Sequence, residues 1–281
     1  MPLRVGEISY TNILPCFYYL NRNELKEIGC EFMPQVPAKL NRAMAANEID
    51  VGGISSFSYG EHSDSYTLLP NLSVSSYGAV GSIFLFSKQP IEQLSGKRVA
   101  LTSASATSVH LLKIILQAFY ELDVEYTVMK PDFAFMLEQY DACLLIGDDA
   151  IRASWKRNDS LYRYDLGALW YEHTGMPMTY AVFAVRDEAL KKQTALIAEL
   201  CRAFTASKEQ SDARKYKDLI EEVIKRKGGN QAFWANYFTG LSHDFGNNEQ
   251  KALHYYFRLA HEMGFLKEPV QSIRVWDTVL Y

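Results

Sequence analysis

From residue 3 the chain alternates short β-rich runs with helical stretches: LRVGEI, a helix from Pro15, CEFM near residue 30, a helix over 37–47, then IDVGGI. Short apolar runs separated by longer 3.6-periodic segments predict βαβ units. Pro37 at a helix start and Asn47 near its end suit the fixed φ needed at the one and the left-handed backbone tolerated at the other. IDVGGI is apolar on both faces, as a buried parallel strand is. These elements predict a doubly wound α/β lobe. The β-rich stretch 66–86 stays with it, until Pro90 and Gly96 in KQPIEQLSGKRVALTS break the rhythm and predict a boundary near residue 88.

A second series follows: RVALTS, a helix over 107–120, VEYTVM, a helix around 133–138, then ACLLIG and a helix from Asp148, ending near Pro177. TYAVFAVR then leads into helices from Asp187 through 230–240 and 247–264, with IRVW the last strand-like run. The predicted architecture is therefore discontinuous. Residues 1–87 with 180–281 form lobe 1, residues 88–179 form an inserted α/β lobe 2, and the crossings fall at 87–90 and 175–180. Two such lobes bring strand ends and helix N-termini to a shared ligand cleft and can hinge about it.

Composition narrows the function. The 281 residues are 48% hydrophobic and 22% charged, enough for a two-lobed core, and the net charge of −4 gives no bias toward nucleic acid or an anionic membrane. Arg4, Glu7 and Asn12 interrupt the apolar residues of the first twenty, so no secretion signal is expected, and no apolar stretch reaches membrane-spanning length. Cys16, Cys30, Cys143 and Cys201 lack CxxC spacing and read as reduced core thiols of a cytoplasmic protein. GxGxxG, Walker A, HExxH and GxSxG motifs are absent, and the six histidines lack metal-ligand spacing, so nucleotide and zinc chemistry are disfavoured and no metal is expected.

What recurs is small polar residues where a predicted strand gives way to a helix: Tyr10-Thr11-Asn12, Ser55-Ser56, and the run 102–108 containing Ser105, Ala106, Thr107 and Ser108. A first helical turn offers unpaired N–H groups and a partial positive charge, to which such residues add donors. Ordinary capping uses the same residues, and one such site alone would read as capping. Gly147-Asp148 ends a buried strand; Gly147 permits close backbone approach, and Asp148 reads as a cap more readily than as a contact, since it would repel a carboxylate. The segment 170–177 reads as hinge packing or ligand contact. Tyr237, Phe238, Tyr255, Tyr256 and Phe257 read as core packing rather than a dimer face; a homodimer is compatible with the sequence.

The stretches Gly6-Glu7-Ile8-Ser9-Tyr10-Thr11-Asn12-Ile13-Leu14-Pro15, Asp50-Val51-Gly52-Gly53-Ile54-Ser55-Ser56, 103–108, 145–150, Asp165-Leu166-Gly167-Ala168-Leu169-Trp170 and Thr174-Gly175-Met176-Pro177 occur in an order that resembles the chorismate dehydratase family of the futalosine route to menaquinone. The resemblance spans residues 3 to about 186 and implies a periplasmic-binding-protein-like type II fold, no cofactor, and removal of water from chorismate to give 3-[(1-carboxyvinyl)oxy]benzoate. It implies that Asn12 orients the substrate and assists the leaving hydroxyl, with Ser82 its catalytic partner across the cleft. Tyr10, Thr11, Ser55, Ser56, Ser105, Ala106, Thr107, Ser108, Gly147 and Asp148 are then candidate substrate contacts. Met178 joins them because Gly175-Met176-Pro177-Met178 stands where the family carries GLPF. Two alternatives stay open: the 1,4-dihydroxy-6-naphthoate synthase of the same route, which calls for a histidine base, and a non-catalytic protein that captures a small carboxylate.

Overall fold

The structure, a computed structural model, describes residues 1–8, 10–156 and 160–277; Ser9, within the first of the motifs, lies outside them. Two sheets organise the chain. The first contains β1 (Leu3–Ile8), β2 (Cys30–Gln35), β3 (Val51–Ser55), β4 (Tyr66–Ser76), β10 (Met178–Arg186) and β11 (Leu241–Ser242), in the order β11-β4-β10-β3-β1-β2. The second contains β5 (Ile83–Ser87), β6 (Arg98–Thr102), β7 (Glu125–Met129), β8 (Ala142–Ile146) and β9 (Tyr162–Asp165), in the order β7-β6-β8-β5-β9.

Within each sheet a parallel group is joined by one strand arriving from the other lobe. β1 is parallel to β2 and β3, whereas β10 runs antiparallel to β3 and β4. β6 is parallel to β7 and β8, whereas β5 runs antiparallel to β8 and β9. A chain that crosses between lobes enters each sheet at the edge where the parallel strands finish, so it must run against them. Ile83 therefore pairs with Ile146, the last residue of β8, and Ala181 pairs with Ser55, the last residue of β3. The starts of β5 and β10 stand beside the ends of β8 and β3.

The helices are α1 (Arg22–Glu27), α2 (Pro37–Ala45), α3 (Ser56–Glu61), α4 (Ala106–Ile114), α5 (Phe133–Gln139), α6 (Gly147–Trp155), α7 (Leu166–Thr174), α8 (Asp187–Lys192), α9 (Thr194–Ala213), α10 (Lys217–Lys227), α11 (Gln231–Gly240) and α12 (Asn247–Glu262). Three expectations change. The helix read from Pro15 is a 3-10 turn over Thr11–Cys16 with Pro15 inside it, because proline has no N–H to continue an α-helix; the regular helix begins only after Asn21, whose side chain accepts from the Glu24 N–H. The stretch 66–86 is divided: Gly78 and Gly81 turn at positive φ, and Ile83–Ser87 belongs to the second sheet. The first crossing therefore falls at 77–82, not near residue 88, and Pro90 sits in a turn of the second lobe. β9, not predicted at all, is a short and largely exposed strand without alternation.

The first lobe closes around Phe17, Phe183 and Phe204, whose ring centroids lie 5.0 to 5.8 Å apart and tie the 3-10 turn, β10 and α9 together. α12 reaches across to the second lobe. The Tyr256 hydroxyl donates to the Thr107 carbonyl at 3.2 Å, and the Trp170 ring lies 5.8 Å from Tyr255 and 6.2 Å from Tyr256. Phe238, Tyr256 and Phe257 are at most 1% exposed and pack internally, whereas Tyr255 is partly buried.

Candidate functional site

Between the two sheets lies a narrow cleft, open to solvent, with about 50 Å³ of water-accessible space. The first lobe lines it with Ile8, Tyr10, Asn12 and Ile13 after β1, Pro37 at the start of α2, Ser55 at the end of β3, Val74 on β4, and Tyr180 and Ala181 on β10. The second lobe contributes Ser82 and Ile83 at the start of β5, Ser105 and Ser108 at the start of α4, and Ile146 and Gly147 at the β8–α6 junction. No Asp, Glu, His, Lys or Arg is among these residues. The polar lining is one amide, two phenols and serine hydroxyls between aliphatic walls.

Local chemistry places each group. Ser105 caps α4: its hydroxyl accepts from the Ser108 N–H at 3.2 Å and lies 3.1 Å from the Ser108 hydroxyl. The remaining first-turn N–H groups have no intrahelical acceptor, and the helix dipole adds positive potential there. Ser55 caps α3 and is held by Asn41, which donates to its hydroxyl at 2.9 Å and accepts from its N–H at 3.1 Å. Gly147 adopts φ +58°, and a Cβ there would stand 3.2 Å from the Tyr10 ring, so this junction needs glycine for both reasons. Its N–H donates to the Ser82 carbonyl at 2.7 Å, fixing Ser82 beside the α6 N-terminus.

The crossing segment that carries Ser82 is clamped from below. The Asp165 carboxylate accepts from the N–H groups of Val80 (2.9 Å), Gly81 (2.7 Å), Gly167 (2.9 Å) and Ala168 (3.1 Å). One side chain thus caps α7 and holds the approach to β5. Burial raises the Asp165 carboxyl above its ordinary range although all four hydrogen bonds oppose the shift. Across the cleft, His243 is 5% exposed and its Nε2 donates to the Asn12 carbonyl at 2.7 Å. Burial pushes this imidazole down to about 4, against the pull of that hydrogen bond, so it is neutral near pH 7. His243 steadies the Asn12 backbone from behind the cleft. Burial, with Asp149 and Asp148 nearby, pushes the Tyr10 phenol up to about 12, leaving it a neutral donor.

Of the residues singled out from sequence, Asn12, Ser82, Tyr10, Ser55, Ser105, Ser108 and Gly147 meet in the cleft. The side chains or carbonyls of the others are engaged elsewhere in the fold. The Thr11 hydroxyl donates to Asp148 Oδ1 at 2.7 Å, and Asp148 Oδ2 meets Lys227 Nζ at 2.8 Å, so both residues serve a tie between the lobes. Ser56 donates to the Thr179 carbonyl at 2.7 Å, and Thr107 Oγ1 accepts from the Phe57 N–H at 3.0 Å. The Ala106 carbonyl accepts from His110 Nδ1 at 2.9 Å, and Met178 is 1% exposed within β10. Sequence reading missed Tyr180, whose hydroxyl pairs with Ser76 Oγ at 3.0 Å, and the aliphatic wall. The TYAVFAVR run marked the strand, but nothing in it marked its first residues as lining. Among the described residues no group of three or more His, Cys, Asp or Glu side chains could hold a metal ion, and no helix is long and apolar enough to cross a membrane.

Two lobes of mixed sheet, each entered by an antiparallel strand at a shared cleft, define the periplasmic-binding-protein-like class. Solved structures agree: the protein AF1704 of Archaeoglobus fulgidus superposes with a TM-score of 0.74 at 21% identity over 94% of this chain and 98% of that one. The periplasmic aliphatic sulphonate binding protein SsuA of Escherichia coli gives 0.72 at 13% identity over 98% and 92%. The chain belongs to the family described as menaquinone biosynthesis, whose model matches residues 3–262. It is 35% identical to a chorismate dehydratase of Thermus thermophilus over 202 residues, covering 66% of this chain and 71% of the relative. It is 26% identical to a 1,4-dihydroxy-6-naphtoate synthase of the same organism over 282 residues, covering 93% and 95%.

Proposed function

We propose that this protein dehydrates chorismate to 3-[(1-carboxyvinyl)oxy]benzoate in the futalosine route to menaquinone. The observation that carries the reading is a cleft in which Asn12 and Ser82 approach from opposite lobes and, among the described residues, no titratable side chain other than phenols lines the walls. The proton to be removed sits on the ring carbon bearing the enolpyruvyl ether, conjugated through a double bond to the ring carboxylate, so it is vinylogously acidic. Loss of the neighbouring hydroxyl aromatises the ring. The driving force lies in the substrate, and the protein's task is to hold a dianion and stabilise the charge that develops on its ring carboxylate.

Helix α4, with Ser105 and Ser108, and the Ser55 hydroxyl offer neutral donors to carboxylates without introducing a cation that would trap the product. The base on this reading is the substrate's own enolpyruvyl carboxylate, folded back over the ring, because among the described residues no carboxylate or imidazole lines the cleft. Asn12 orients the ring and donates a hydrogen bond to the departing hydroxyl, which leaves as water by taking up the proton gained by the enolpyruvyl carboxylate; Ser82 donates a hydrogen bond from the opposite face. The four buried free cysteines support a reducing, cytoplasmic setting. The two crossings support a lobe division near 77–82 and 175–177.

Incubating the purified protein with chorismate alone, and following mass and ultraviolet spectrum, tests the reading: the product is aromatic and lighter by one water. The synthase reading is favoured by the longer span of that relative. Against it, His243 has its Nε2 committed to the Asn12 carbonyl, and turnover of cyclic dehypoxanthine futalosine in place of chorismate would establish it.

A further inference from the structure

One aromatic residue beside the cleft has a hydroxyl that packing alone does not explain, and its role rests on the dehydratase reading above. Tyr237, on α11, is 6% exposed and wedged beneath the crossing segment: a Cβ added at Gly81, itself at φ +70°, would stand 3.2 Å from Tyr237 Cδ2. The Trp234 and Phe238 rings each lie at a centroid separation of 5.5 Å from it. Its hydroxyl is buried without a hydrogen-bond partner, a state shared among the described residues only by Tyr126. Leaving a buried hydroxyl unpaired costs as much as a hydrogen bond contributes, so it needs a reason. The residue next to Gly81 is Ser82, whose hydroxyl neighbours the phenol without completing a hydrogen bond. Rotation about one bond turns that hydroxyl toward the phenol with no change in backbone.

We propose that Tyr237 is a positioning residue for Ser82: with chorismate in the cleft, the phenol donates to Ser82 Oγ and thereby directs the Ser82 proton onto the substrate. A hydroxyl that accepts a hydrogen bond is a stronger donor in turn, and the low dielectric beneath the cleft favours such a chain. Tyr237 keeps its own proton throughout. Burial pushes its ionisation far upward, the negative charges of Asp148 and Asp165 add to this, and only Ser82 opposes it.

The test is a double-mutant cycle of Tyr237→Phe and Ser82→Ala on the full chain with chorismate. Tyr237→Phe lowers kcat about tenfold, the equivalent of about 1.4 kcal/mol, with KM within about twofold. In the Ser82→Ala background the same change has no further effect, because the phenol acts only through the serine. The thermal midpoint of Tyr237→Phe equals or exceeds the parent's, since the lost hydroxyl had no partner. Unchanged kcat, losses that simply multiply in the double variant, or a clear fall in thermal midpoint each overturn the assignment. Turnover by the parent keeps the two readings apart: a parent that does not dehydrate chorismate refutes the dehydratase reading, whereas a parent that does so while Tyr237→Phe keeps its kcat refutes the role of Tyr237 alone.

Discussion

Asp148 separates two kinds of carboxylate at a cleft, one that meets the ligand and one that holds the walls together. In the structure it does the second, and replacing it measures how strongly. Its carboxylate takes the Thr11 hydroxyl at 2.7 Å and Lys227 Nζ at 2.8 Å, with the Asp148 side chain 11% and that of Lys227 34% exposed. Removing it in Asp148→Ala leaves the Thr11 hydroxyl, 1% exposed, without an acceptor, at about 1–3 kcal/mol. Water reaches Lys227, so the ion pair contributes at most about 1 kcal/mol, and the lost negative charge in the first turn of α6 adds about 0.5 kcal/mol. Asp148→Ala should therefore lower the unfolding free energy by about 3 kcal/mol in urea titrations. Asp148→Asn keeps an acceptor for Thr11 and should lose about 1 kcal/mol. Chorismate turnover in the Asn variant should stay within about fivefold of the parent, since an effect of at most about 1 kcal/mol on closure is less than a decade in rate. An Asn variant as stable as the parent but slowed by several decades would place the carboxylate in the chemistry and refute the tie.

Three further perturbations follow from the geometry. Asn12→Asp brings a negative charge against a dianion and should lower kcat/KM by about a hundredfold or more, roughly 3 kcal/mol in transition-state terms; parental turnover at parental KM would remove Asn12 from the mechanism. Gly167→Ala places a Cβ 2.5 Å from the Gly78 carbonyl oxygen, 2.5 Å from the Tyr180 hydroxyl and 2.9 Å from Ser76 Oγ. It should cost about 2 kcal/mol or more in unfolding free energy by overpacking, and a loss below about 0.5 kcal/mol would contradict the contact. His110 and His243 are both pushed down to about 4, chiefly by burial, from an ordinary 6.5. Their folded values lie below the unfolded ones, so the stability they contribute is full above about pH 6.5 and falls as pH drops toward 4, by up to about 1.4 kcal/mol per pH unit for each. Thermal midpoints between pH 7 and 4.5 should fall less steeply in His243→Gln.

Periodicity in the sequence carries the strands and helices of both lobes because buried strands and amphipathic helices write their packing into apolar spacing. It did not carry the crossing at 77–82, where a β-rich run continues through Ser73–Ser76 into Ile83–Ser87 and only Gly78 and Gly81 mark the exit. That miss explains another. Small polar residues where parallel strands end and helices begin mark Asn12, Ser55, Ser105 and Gly147 of the cleft lining. Tyr180 lies near the start of an antiparallel strand, which carries no such mark, and Ser82 is marked only by family resemblance. Thr11 and Asp148 show the opposite limit: polar type and position suit a ligand equally well, and only a partner 137 residues distant, Asp148 for Thr11, decides otherwise.

The four cysteines have a practical corollary. Cys16, Cys30, Cys143 and Cys201 are buried in apolar surroundings that push their thiols up to about 11 or 12, so almost none is thiolate at neutral pH and none presents a reactive sulfur to reagent. A thiol-directed dye should therefore leave the parent protein unlabelled while reacting with a cysteine newly introduced at an exposed position. Ile28 beside β2 and Val128 on β7 are 49% and 59% exposed and belong to different lobes. A donor and an acceptor attached there would turn lobe movement into a distance signal, and the native sequence already supplies the silent background such a ruler requires.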